Sequence, residues 1–401
     1  MSTASRPLPP APDYDGAHLR HVMTSAAAGL GLEGFDNRLG VRQANISVVV
    51  MVDGLGDSLL AKYSGHARFL ASAWRQSSRA QILDVGVPTT TAASLASLGT
   101  GLAPGAHGLV GYDILAPELD RVVNMLGRWD EEVDPVQWQP YPSVLTRAAE
   151  DGAAVLTASR PKFEHSQLTS AVLSGGDFAG ANRMDARFTS AAEWIDSQRP
   201  AKGATRRGPA VKQLVYLYVD ELDKTGHRYG VDSPQWLAML EMLDAEAQRF
   251  TALLHRRYGD QASVLLTADH GMVDIAEANR LDYSAQSHLL SGVRHTGGEP
   301  RLVQLYAEPG TDPEAVQATW EAEFGDRAWV LNRDQALAAG WFGAVEDRVR
   351  RRIGDVLVAV HADIALYHCD RVGTAPMEMV GQHGSLTEAE RRVPLIQLAG
   401  A

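Results

Sequence analysis

The stretch Val48–Leu60, VVVMVDGLGDSLL, decides the fold. Its first half is β-branched and apolar on both faces, as a parallel strand covered by helices should be. It stops at Asp53, and Gly54 follows. An acid at the end of a core strand either caps the next helix or holds a ligand at the carboxyl edge of a sheet. The rest of the chain decides between these readings.

The same texture recurs in AAVLTA (Ala153–Ala158), QLVYLYV (Gln213–Val219) and SVLLTA (Ser263–Ala268). Helical patterns lie between the strands. TAASLASLGTG begins with hydroxyl residues and stops at glycine, and Ser233–Gly259 is a long periodic segment with a glycine stop. Strand–helix alternation predicts an α/β fold with a doubly wound, mostly parallel sheet. After ADHGM the texture changes. RLVQLYA reads as a strand, DPEAVQATWEAEFG as a helix, and RRIGDVLVAVHADIALY as two short strands. The expected organisation is an arm and helix over 1–40, a core over 41–272, a smaller inserted α+β unit over 273–374, and a return to the core over 375–401. PLIQLAG is expected to be the last strand.

With 401 residues, 45% of them apolar, a large core can form. Lys and Arg number 37 against 49 Asp and Glu, a net charge of −12. That balance excludes a broad surface for nucleic-acid polymers or anionic membranes. It leaves room for one small anionic substrate, because a bound metal reverses the local charge. Cys369 is the only cysteine, so internal disulfides and a thiolate metal cluster are excluded. The start, MSTASRPLPPAPDYDG, lacks the basic and apolar segments of a secretory signal, and no apolar run reaches membrane-spanning length. The expectation is a cytoplasmic protein. Its oligomeric state is not encoded in any readable pattern.

Three of the apolar strands run into acids: VVVMV into Asp53, LVYLYV into DELDKTGH, and SVLLTA into DHG. In open parallel sheets such ends share one crevice. Asp223 and His227 are four apart, so one helical turn puts both on one face. Asp269 and His270 are adjacent, and the following Gly271 lets the chain turn so that both can face one ion. His383 in GQHGS sits between glycines, where backbones can approach closely. Asp220 and Glu221 are caps or supporting groups. Asp53, Asp223, His227, Asp269, His270 and His383 together offer three carboxylates and three imidazoles, which suits two Zn²⁺-like ions. Two such ions about 4 Å apart can clamp both oxygens of an in-line phosphoryl displacement. Thr89, Thr90 and Thr91 precede a helix of small residues, so one of their hydroxyls lies among free amides, good for holding an anion. One of the three could equally be a plain N-cap.

In this order, the motifs resemble the type I phosphodiesterase/nucleotide pyrophosphatase branch of the alkaline phosphatase superfamily, from Asp53 to His383. The resemblance implies an alkaline phosphatase-like core. It implies one zinc (or Mn²⁺) held by Asp53, Asp269 and His270, touching the nucleophile, and a second held by Asp223, His227 and His383. It places the nucleophilic threonine ten residues before the glycine of a TG pair; counting from Gly101 gives Thr91, with Thr90 as fallback. The family motif often carries an asparagine where Ser94 stands, and this residue helps hold a phosphate oxygen; Ser94 is therefore the substrate-binding candidate. The implied activity is hydrolysis of a small phosphorylated or nucleotide-like ester, a diester or pyrophosphate before a monoester. The alternatives are a phosphomonoesterase or phosphonate hydrolase on the same core, or a non-catalytic metal-binding relative.

The remaining candidates carry less. His107 reads as packing. His165, His288 and His295 lie in polar loops and could reach a substrate. Arg160 and Lys162 follow a strand end and could meet an anionic tail or be surface charge. Specificity is expected in the inserted unit and in the segments 113–132 and 163–184.

Overall fold

A computed structural model describes residues 6–76, 81–198 and 211–398. Met1–Ser5 of the amino-terminal arm and the last residues of PLIQLAG, Ala399 and Gly400, lie outside them. The main sheet has seven strands: β1 (Ile46–Val52), β2 (Gln81–Asp84), β3 (Ala154–Ser159), β4 (Asp177–Gly180), β5 (Gln213–Val219), β6 (Ala262–Ala268) and β7 (Arg392–Leu398). Their spatial order is β2-β7-β6-β1-β5-β3-β4. The pairs β6·β1, β1·β5, β5·β3 and β3·β4 are parallel, and β7 runs antiparallel to both of its neighbours. The expected α/β class and mostly parallel sheet are therefore found. Strands β1, β5 and β6 are buried along their whole length, which explains their unbroken hydrophobic runs.

Helix α1 (Thr91–Thr100) ends at Gly101, whose φ of 75° closes it. Helix α2 (Glu221–Tyr229) follows β5 directly, and the long helix Pro234–Tyr258 packs against it, capped by the Ser233 hydroxyl.

A second, antiparallel sheet of six strands runs in the order Ala328–Asn332, Val356–Val360, Leu302–Ala307, Val293–Glu299, Asp113–Ala116, Arg121–Asn124. Its last two strands are a hairpin that leaves the chain soon after α1. Val316, Trp320 and Phe324 of the helix Pro313–Phe324 close a core of their own against this sheet. Among the described residues no helix is long and apolar enough to cross a membrane.

Candidate metal centre and substrate cavity

Register explains why residues far apart in sequence meet. Val52 pairs with Val219 on one side and with Ala268 on the other. The next residues are Asp53, Asp220 and Asp269, so three acids stand side by side at one edge, about 4.8 Å apart along the hydrogen-bonding direction. Gly54 turns the chain with a φ of 79°; a Cβ there would lie 3.1 Å from the Asp223 Cα, so only glycine lets this loop lie against α2.

All six expected ligands converge. Asp53 Oδ1 is 3.3 Å and Asp269 Oδ2 3.7 Å from His270 Nε2. Asp223 Oδ1 is 3.2 Å from His227 Nε2 and 3.7 Å from His383 Nε2. The ligand atoms of Asp53, Asp269 and His270 lie within 4.8 Å of one another, as do those of Asp223, His270 and His383. The rings of His270 and His383 stack at 3.6 Å, so His270 stands where the two groups join.

The three histidines are oriented alike. His227 Nδ1 meets the Gly381 carbonyl at 2.8 Å, His270 Nδ1 the Gly271 carbonyl at 2.9 Å, and His383 Nδ1 the Thr89 carbonyl at 2.8 Å. A carbonyl only accepts, so each Nδ1 donates and each Nε2 is turned inward, towards carboxylate oxygens, where a neutral ring presents a lone pair. Lone pairs facing lone pairs repel unless a cation lies among them. Asp223 Oδ1 and Asp269 Oδ2 are buried without a hydrogen-bond partner. This donor set fits divalent ions of the zinc type, with backbone carbonyls fixing each ring from behind.

The electrostatics agree. Burial, reinforced by Asp223 and Asp269, pushes the Asp53 carboxyl well above the usual range. Burial also raises Asp269. Burial acts upward on Asp223 too, but attraction to His227, His383 and His270 outweighs it and holds that carboxyl low. Burial acts downward on His227, and Asp223 overrides it and lifts the ring to about 9. Without cations, a proton on His227 supplies the positive charge that the cluster demands.

Of the three threonines, Thr91 reaches the centre: its Oγ1 is 3.2 Å from His270 Nε2 and 3.4 Å from Asp53 Oδ1. Thr90 is the N-cap position of α1 and lines the same cavity. Thr89 is committed elsewhere, donating to the Ser385 carbonyl at 2.8 Å and accepting from the Gly384 amide at 3.0 Å. Ser94 is buried one turn along α1 and its hydroxyl has no partner, but it is not among the residues lining the cavity.

The cavity beside the cluster holds about 680 Å³. Both segments expected to govern specificity reach it, through Asp113 and Asn124 and through Phe163 and Phe178. Lys162 lines it as well. Arg160 instead grips Asp220 with Nε at 2.6 and 2.7 Å. His165 and His288 are exposed, and His295 bonds Asp120 at 2.8 Å; none of the three lines this cavity. His107 is buried, accepting from the Leu109 amide and bonded to the Ser97 hydroxyl. Sequence reasoning missed Tyr218, whose phenol bonds Asp53 Oδ2. Alternation along β5 puts Tyr216 and Tyr218 on one face, which was a readable signal; the neighbour they would meet was not.

A family model described as type I phosphodiesterase/nucleotide pyrophosphatase matches residues 47–386. Venom phosphodiesterase 2 of Crotalus adamanteus is 26% identical over 199 residues, covering 49% of this chain and 23% of that protein. An uncharacterised pyrophosphatase/phosphodiesterase of Schizosaccharomyces pombe is 23% identical over 287 residues, covering 70% of this chain and 55% of that one. The chain thus spans a minor part of the venom enzyme and about half of the yeast protein. Among solved structures, murine ectonucleotide pyrophosphatase/phosphodiesterase 5, an inactive form in complex with AMP, superposes with a TM-score of 0.66 at 15% identity, covering 89% of this chain and 88% of that one. Phosphonoacetate hydrolase of Sinorhizobium meliloti, in complex with phosphonoacetate, gives 0.67 at 19% identity, covering 90% and 91%. The fold is shared with both.

Proposed function

Because the chain belongs to the type I phosphodiesterase/nucleotide pyrophosphatase family, we propose that it is a metal-dependent hydrolase of phosphate esters, acting on a small phosphodiester or pyrophosphate through Thr91. The observation that carries this reading is the Thr91 hydroxyl on the first turn of α1, 3.2 Å from His270 Nε2 and 3.4 Å from Asp53 Oδ1, two of the candidate ligands.

Asp53, Asp269 and His270 would hold one zinc ion, and Asp223, His227 and His383 the other. Bound zinc supplies Lewis acidity, lowering the pKa of a hydroxyl or water and offsetting charge on phosphoryl oxygens. The chain's own groups do the rest. Thr91 is held at a helix start whose first amides lack intrahelical acceptors, so a phosphoryl oxygen can be received there. Its oxygen attacks phosphorus, the ester bond to the leaving alcohol breaks, and a phosphothreonine results. Water then attacks phosphorus from the vacated side and restores the hydroxyl. Tyr218 fixes the Asp53 carboxylate, and the backbone carbonyls behind the three histidines keep every Nε2 turned inward. A cytoplasmic setting belongs to the same proposal.

The test is turnover by the purified protein supplied with Zn²⁺ or Mn²⁺. Bis-p-nitrophenyl phosphate, p-nitrophenyl phosphate and a nucleotide ester are compared, with Thr91→Ala and Thr90→Ala as variants. We expect the diester to be preferred and Thr91→Ala to lose at least about 10³-fold, as removal of a nucleophile does. Full activity in Thr91→Ala would end the covalent mechanism.

A further inference from the structure

Glu299, a buried acid in the cavity, keeps one carboxyl oxygen without a hydrogen-bond partner. Strands Val293–Glu299 and Leu302–Ala307 form a hairpin whose tip is Pro300–Arg301. The tip reaches into the catalytic half of the molecule. Arg301 turns one way, pairing with Glu390 at 2.8 and 3.2 Å and donating to the Ile364 carbonyl. Glu299 turns the other way and lines the cavity beside the metal cluster. Its stem lies against Gly384, the residue after His383; φ there is 137° and a Cβ would sit 2.4 Å from the Glu299 Cγ.

Glu299 is only 7% exposed. Its Oε2 accepts the Tyr112 amide at 2.9 Å, and its Oε1 is buried with no hydrogen-bond partner. A buried carboxyl left in this way costs free energy unless something completes it. The neighbouring acids are completed. Asp113 holds Arg371 at 2.7 Å, and Glu390 holds Arg301. Of these acids only Asp113 and Glu299 line the cavity, with Arg371 beside Asp113, and among the described residues Glu299 has no cation of its own. The rings of Tyr112 and Tyr367 line the same end. A desolvated carboxyl beside aromatic rings is the setting that receives an ammonium group.

We propose that the alcohol portion of the substrate carries an ammonium-type cation, and that Glu299 is the specificity-determining residue that receives it. This rests on the phosphate-ester reading above and names the class of ester. Burial, with Asp113 and Glu390 adding to it, pushes the Glu299 carboxyl well above the usual range. A cation at Oε1 supplies the opposite charge that would offset this. The reacting phosphoryl group is anionic, and a cation at the far end leaves the bound ester near neutrality.

The probes are p-nitrophenyl phosphorylcholine and p-nitrophenyl 3,3-dimethylbutyl phosphate, which share a shape and differ by one charge. On the metal-loaded protein we expect kcat/KM to favour the cationic ester by at least about tenfold, the worth of one charged hydrogen bond or ion contact in a buried site. Glu299→Gln should reduce that ratio to within about threefold of unity. A ratio near one in the unaltered protein overturns the inference, and this comparison stands even where the variant does not fold. A ratio unchanged in a folded Glu299→Gln overturns it as well, as does a preference for the corresponding glycerol ester. If no ester is turned over, the hydrolase reading fails by itself. Calorimetric binding of phosphocholine against 3,3-dimethylbutyl phosphate then decides the inference: tighter binding of the cation, lost in Glu299→Gln, supports it, and equal binding sinks it.

Discussion

Thr89→Val deletes one hydroxyl and keeps the shape of the side chain. That hydroxyl is fully buried and ties the start of α1 to the His383 loop, donating to the Ser385 carbonyl at 2.8 Å and accepting the Gly384 amide at 3.0 Å. Valine would leave both backbone groups buried and unpaired, at about 1–3 kcal/mol each, so a total loss of about 2–6 kcal/mol is expected. With an unfolding entropy of about 2.1 cal/mol/K per residue over 401 residues, Tm should fall by about 2–7 °C. The backbone half of the clamp remains: Thr89 N–H still reaches the Gly384 carbonyl at 3.1 Å, and His383 Nδ1 still reaches the Thr89 carbonyl. The loop should therefore stay in place but loosen, weakening zinc affinity by about 10–100-fold, as loss of a group supporting a ligand does. Thr89→Ser keeps the hydroxyl and should lose only about 1 kcal/mol, the worth of a methyl group. Guanidinium unfolding of the metal-free protein gives the first number, and competition against a zinc chelator gives the second. Stability of Thr89→Val within about 0.5 kcal/mol of the unaltered protein would refute the reasoning, since two orphaned buried groups cannot cost so little.

The mooring of α2 can be tested in the same way. Arg187 is fully buried and bonds both Glu221 oxygens at 2.5 Å, so Arg187→Met should cost about 3–5 kcal/mol in chemical unfolding. Arg187→Met with Glu221→Gln should cost less than the sum of the two changes; strict additivity would show that the pair does not act as a unit. His107 gives a pH signature. Burial, with Arg348 adding to it, pulls its ring down to about 3, while the unfolded value is 6.5. The unfolded chain therefore binds a proton between these values that the native state refuses, and stability falls as pH drops from 6.5 towards 3. A shift of this size is on the order of 4–5 kcal/mol, so urea unfolding of His107→Asn should show a shallower acid limb than the unaltered protein. Equal slopes would contradict the burial argument.

Much of the candidate metal centre was legible because its pieces are local. Strand-then-acid at Asp53 and Asp269, one helical turn between Asp223 and His227, and a glycine-flanked His383 are each visible within a few residues. Their convergence depended on β1 lying between β5 and β6, which a general rule about parallel sheets anticipates. Thr91 was separable from its neighbours by the family spacing alone; the structure adds that Thr89 is spent on the His383 loop, a contact spanning 294 residues. Ser94 stands on α1 with a buried, unpartnered hydroxyl and is not among the residues that line the cavity. Glu299 was invisible, because TGGEPR reads only as turn chemistry. Nothing local says that this hairpin tip is driven into the core by Arg301.

The two halves of the site follow different physical logic. At the metal end, parallel register forces like charges together, and β-sheet geometry gives them no means of separating. Such a cluster persists only where opposite charge is supplied, by His227 holding its proton or by cations among the inward lone pairs. At the Glu299 end Asp113 and Glu299 come from a separate antiparallel sheet; Arg371 answers Asp113, and among the described residues no cation answers Glu299. On the proposed reading the first arrangement would bind what every member of a reaction class shares, the phosphoryl group and its ions. The second arrangement can differ by a single side chain on a hairpin tip. Selectivity would then sit on a part of the chain that can change without disturbing the strand ends.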